Sequence, residues 1–220
     1  MKREAGLDYG EGYKRAHEEA RKELVAGRPG VMAAASGVAY QEGEADHGVF
    51  QVPYLGRNLE ITYPEGVVFL DGESAVVSIS IVVLHYLSRS VGPLSLADPL
   101  RFQGVPDASA YVSAFRLHAE IPLVERFGDH GDAFLQVVEG LGGIPQGGET
   151  GGDPDPEVMW EVPFLPHLPV GVRLGLAGEG LPAECVILFP RRAAYVYHVE
   201  DLAVVGELLS ARMLEMACSR

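Results

Sequence analysis

The stretch Gly48-Val49-Phe50-Gln51-Val52-Pro53-Tyr54-Leu55 decides how this chain is read, because its pattern returns as Val158-Met159-Trp160-Glu161-Val162-Pro163-Phe164-Leu165. Both copies run aromatic, polar, Val-Pro, aromatic, Leu, and a second apolar run follows each. The spacing predicts two β-hairpins. Val-Pro marks the place where the first strand of each ends or bulges, since proline supplies no donor to a strand ladder. The recurrence fits an internal duplication of the hairpin; it also fits independent use of Val-Pro at strand ends.

Working outward, Leu59-Glu60-Ile61-Thr62-Tyr63 alternates apolar and polar as a half-buried strand should. Residues 67–70 predict a third strand, closed by Asp71-Gly72. Residues 74–89 are rich in β-branched side chains, yet their length favours a buried helix, with Ser74 as N-cap. Residues 9–26 predict a surface helix with Tyr13, Ala16, Ala20, Leu24 and Val25 near one face. Residues 31–39 predict a short helix ending near Gly37, and residues 41–46 a polar loop. Residues 108–128 predict two helical pieces interrupted at Pro122, whose ring clashes with the preceding turn. A helix over 132–140 follows. The second hairpin pairs residues 158–162 with 170–176, further apolar runs lie at 185–189 and 193–198, and a helix over 200–216 closes the chain. Strands and helices are segregated, which predicts an α+β fold: antiparallel hairpins packed with helices in a single domain over residues 1–220. A flexible Gly/Pro-rich loop over 142–157 is expected between the halves.

With 220 residues the chain can bury a sizeable core. Its 17 Lys+Arg against 31 Asp+Glu give a net charge of −14, which repels nucleic acid and anionic lipid surfaces. Neither is expected as a partner. The start of the chain shows no signal-peptide core, and the longest apolar stretch is shorter than the ~20 residues of a membrane span. A cytoplasmic setting follows. Only Cys185 and Cys218 are present, without the spacing of a zinc or iron–sulfur site. Elbow, P-loop, zincin and dinucleotide motifs are absent from the sequence.

Val52-Pro53-Tyr54-Leu55-Gly56-Arg57, Leu84-His85-Tyr86-Leu87, Phe115-Arg116, Arg126-Phe127-Gly128 and Glu200-Asp201-Leu202-Ala203 resemble an uncharacterised family of bacterial and archaeal proteins. It is a domain of unknown function with the serial number 3786. The resemblance runs from about Tyr13 to the C-terminus. It implies an origin in anaerobes, and some family members carry a cysteine-rich segment suggestive of an iron–sulfur cluster. This sequence lacks that segment, so the resemblance implies a protein partner, an iron–sulfur or cofactor protein, rather than a resident cluster. It transfers no catalytic residue.

The candidate binding residues are His85, Arg116, His118, His198, Glu200 and Asp201. In a helix, His118 and Glu120 point roughly 200° apart and cannot chelate one ion; His118 is expected to reach Arg116 or a carbonyl. If His198 ends a strand, it shares a face with Glu200, with Asp201 beside them, and the three form a candidate metal set. The competing reading makes Glu200 or Asp201 a helix cap. His85 in an apolar helix reads as a hydrogen-bonded core imidazole or as an acid–base group. The first functional expectation is a non-enzymatic accessory protein working with redox or cofactor proteins of anaerobic metabolism. The alternative is a small-molecule or metal-dependent enzyme whose site gathers His, Glu and Arg side chains. Clustering of the candidates in one cleft would favour the second.

Overall fold

A computed structural model describes residues 11–147, 155–178 and 180–218. Helix α1 (Glu11–Ala26) leads into α2 (Pro29–Ser36), which begins on a proline where the missing N–H costs nothing and ends at Gly37 in the left-handed region (φ 69°). The first sheet is a meander, β1 (Ala39–Glu42), β2 (Gly48–Tyr54), β3 (Arg57–Tyr63), β4 (Val68–Leu70) and β5 (Glu73–Ser74), ordered β1-β2-β3-β4-β5. Helix α3 (Val77–Arg89) follows. After β6 (Pro99–Arg101) come α4 (Val112–Phe115), a π-turn over Arg116–Glu120, α5 (Ile121–Phe127) and α6 (Gly131–Gly140). The second sheet is completed by β7 (Ile144–Gln146), β8 (Met159–Leu165), β9 (Leu168–Gly175) and β10 (Glu184–Pro190), in the order β6-β10-β9-β8-β7. Helices α7 (Ala193–Val196) and α8 (Val199–Cys218) end the chain. All strand pairs are antiparallel, and the fold is α+β.

Both hairpins form where the repeated pattern predicts them. Leu55 and Gly56 make the tight turn of the first with positive φ (45° and 73°), as a two-residue connection requires. Pro53 does not end β2. It pairs with Asn58, one step from the turn-closing Tyr54–Arg57 pair, so its nitrogen faces the β1 side. There β1 has already stopped, at Ala39 opposite Gln51, and no ladder bond is lost. Pro163, by contrast, sits at a register shift between Pro163 and Leu165 in β8, so the bulge expected at Val-Pro occurs in the second copy alone.

Residues 77–89 are helical despite their β-branched content, because α1, α2 and α8 pack around α3 and bury Ile79 through Leu87. Ser74 is not its N-cap. It pairs with Phe69 in β5, and Val76 takes the cap position without a side-chain bond. On α1, Ala20 and Leu24 are buried but Val25 faces outward, about 100° away around the helix. The polar loop expected from residue 41 begins instead with the edge strand β1, and part of the expected loop at 142–157 is β7, paired to β8 through Pro145 and Trp160. Residues 148–154 of that loop lie outside the described residues. The break expected at Pro122 appears one turn earlier as the π-turn over Arg116–Glu120, which absorbs the donor that proline lacks. Residues 193–196 form α7, so the condition that His198 ends a strand is not met and His198 instead precedes a helix.

Phe50, Tyr54, Trp160 and Phe164 are core residues, buried in one hydrophobic cluster that includes both sheets. Tyr54 and Phe164 meet edge to face across the sheets, ring centroids 5.4 Å apart. Phe102 stacks on Phe115 at 4.1 Å, and α8 crosses the Phe115 ring at Gly206, where any Cβ would overlap it. Tyr86 ties three elements together: its hydroxyl donates to the Ser36 carbonyl and accepts the His167 N–H (2.9 Å) at the β8–β9 turn. None of the described helices is long and apolar enough to cross a membrane.

Candidate functional site

Helical periodicity on α3 places Ser78, Ile81, Val82, His85 and Arg89 along one stripe. That stripe, the facing side of α1 and the first turn of α8 enclose a cavity of about 580 Å³. Its apolar wall includes Ala16, Ile81, Val82 and Val204; its charged and imidazole groups are Glu19, Glu23, His85, Arg89, His198, Glu200 and Asp201, with the hydroxyls of Tyr13 and Ser78 beside them.

His85 and Asp201 are both buried, and His85 Nδ1 lies 2.8 Å from Asp201 Oδ1. A carboxylate accepts, so Nδ1–H donates, and in the neutral ring the lone pair falls on Nε2. Asp201 owes its place to helix capping. As the third residue of α8, it accepts the backbone N–H of His198 on Oδ2 (3.2 Å), the return half of a capping box, at the helix end that favours negative charge. Arg89 Nη1 approaches the same Oδ2 at 3.7 Å. The Arg89 guanidinium is itself forked by Glu23 of α1, at 2.8 Å from Nε and 2.6 Å from Nη2. That bond holds the Glu23 carboxyl below the usual carboxylate range, against opposing burial. The rings of His85 and His198 meet edge to face at 5.8 Å. At the rim, Tyr111 donates to Glu200 (2.6 Å), which lowers the Glu200 carboxyl.

Of the candidates read from sequence, His85, His198, Glu200 and Asp201 come together here. Arg116 and His118 do not. His118 is exposed and lies 3.5 Å from Glu207 of α8, not against Arg116 or a carbonyl. Arg116 lines a separate cavity of about 430 Å³ with Phe115, Glu120 and Cys185. The expected trio of His198, Glu200 and Asp201 does not converge: Asp201 turns inward to His85, while Glu200 turns to Tyr111. Among the described residues, no three His, Cys, Asp or Glu side chains are grouped to hold a metal ion. Sequence reading missed Arg89 and Glu23. Arg89 was within reach, four residues after His85 on the same helix face; Glu23 had no local signal, because its partner is far along the chain. Cys185 is a buried free thiol, and burial pushes its pKa up.

A family model described as a domain of unknown function, DUF3786, matches residues 28–212. The chain belongs to this family. The match spans both sheets, α3 and α8 as far as Arg212, and so includes His85, Arg89, His198 and Asp201; α1, with Glu23, precedes it. No curated protein matches the chain, and no solved structure does.

Proposed function

We propose that the chain acts on a small molecule in the α1–α3–α8 cavity, with His85 as the proton-transferring group. The observation that carries the proposal is the buried Asp201–His85 pair: a fixed carboxylate orients the imidazole and leaves Nε2 without a hydrogen bond among the described residues, on the wall of a cavity. Asp201 would stabilise the imidazolium formed when Nε2 takes a proton, and Arg89 would hold the second Asp201 oxygen. The cavity is of the size and mixed lining typical of small-molecule sites. This reading takes up the enzyme alternative, because four of the six candidates share one cleft. The accessory role beside an iron–sulfur or cofactor protein rests on the family resemblance, and no observation of the site adds to it. A cytoplasmic setting and the absence of nucleic-acid partners belong to the same proposal, the second supported by the net charge of −14.

The test is turnover. Anaerobically purified protein, with its metal content measured, is incubated with a pool of small metabolites that is followed by mass spectrometry. The expected result is consumption of a metabolite by the native chain and not by His85→Gln of unchanged melting temperature. Equal behaviour of the two proteins would overturn the acid–base role.

A further inference from the structure

The cavity's polar groups also say what kind of molecule it takes. Its charged groups are mostly negative, and Tyr13 and Ser78 add hydroxyls. Glu19, Glu23, Glu200 and Asp201 supply carboxylates, and His85 supplies the Nε2 lone pair of its neutral ring. The cationic side chain in the lining, Arg89, is already engaged by both oxygens of Glu23 and approaches Asp201. An anionic ligand would meet a guanidinium already neutralised by Glu23, in a lining where four carboxylates outnumber one guanidinium, and would enter past Glu19 and Glu200 at the rim. A ligand carrying N–H donors and positive charge meets a lining of net negative charge and the Nε2 lone pair of His85. Ala16, Ile81, Val82 and Val204 offer it an apolar wall.

We propose that the ligand of this cavity is a small organic amine bearing an apolar body, its ammonium group lying between His85 Nε2 and the rim carboxylates. The proposal rests on the acid–base reading of His85 and adds to it the chemical class. In proton balance the step is simple: an ammonium N–H donates its proton to His85 Nε2, leaving a neutral amine whose lone pair is free to react and an imidazolium paired with Asp201. Glu200 is the rim group with the clearest assignment, because the Tyr111 hydroxyl fixes its carboxylate at the mouth of the cavity.

Three probes of the same body and different charge test the class: phenethylamine, 2-phenylethanol and phenylacetate. Each is titrated to millimolar concentration against the native chain, with perturbation of the His85 and His198 imidazole signals as the readout. Phenethylamine is expected to bind, the alcohol at least fivefold more weakly, and phenylacetate not at all. Glu200→Gln should weaken phenethylamine about three- to tenfold, and added salt should weaken it further. Phenylacetate binding as well as or better than the amine would overturn the class, as would equal binding of the alcohol or no binding by any probe. His85-dependent turnover is measured separately, so the ligand class can fail without the acid–base role failing with it.

Discussion

Asp201 makes the site by satisfying two demands with one carboxylate. One oxygen accepts His85 Nδ1–H and the other accepts the His198 N–H, so the geometry of the imidazole depends on the start of α8. Asp201→Asn keeps the size of the side chain but offers a single acceptor and an amide donor. The expected outcome is a tautomer change: the introduced amide would donate to Nδ1, and the proton of the neutral ring would move to Nε2. The nitrogen-15 shifts of the His85 ring read this directly, and a lone pair still on Nε2 would overturn the assignment. Loss of charge-assisted bonds at a buried position should also cost about 1.5–3 kcal/mol of stability in a denaturant titration. His85 and Asp201 were both legible as candidates in the sequence, but their pairing was not. They are 116 residues apart, and only the packing of α3 against α8 joins them.

The elements show where local pattern suffices and where it stops. Alternation revealed β2, β3 and β8, which bury alternate residues, while β9, buried on both faces, was legible as an apolar run after a proline-bounded turn. Edge strands β1 and β7 escaped, since Ala39-Tyr40-Gln41-Glu42 and Ile144-Pro145-Gln146 carry no such alternation and are strands only through their neighbours' hydrogen bonds. The π-turn escaped as well, although Pro122 announced that something must give. That turn positions Glu120, whose Oε1 accepts the Ile187 N–H (3.2 Å) of β10. Burial lifts the Glu120 carboxyl above its usual range, with the Ile187 bond opposing. A raised folded pKa means that stability present at low pH is lost as pH rises through the folded value. Glu120→Gln keeps the acceptor and removes the charge. It should raise the melting temperature at pH 7 by about 1–3 °C, and this gain should vanish below the unperturbed value of 4.5, where both proteins carry a neutral group. Calorimetry at pH 7 and at pH 4 compares them; a gain unchanged by acid would refute the sign.

At the scale of the whole molecule, the two sheets and the helices between them share one hydrophobic cluster. Phe164 stands where the sheets meet, buried beneath Tyr54. Phe164→Ala should therefore cost about 3–5 kcal/mol. Fluorescence of Trp160 and far-ultraviolet circular dichroism should still fall together in one transition; separate midpoints would show two independently folding halves. The same unity reaches the cavity from behind. Gly206 lies on α8 about one and a half turns beyond Asp201, pressed against Phe115 with no space for a methyl group. The rigid rod that holds the carboxylate is thus seated by a contact on the opposite flank, and its angle is set there. Shape selection at a single hydrogen atom, on the face of α8 turned to Phe115, governs the seat of the helix on which an acid meets an imidazole.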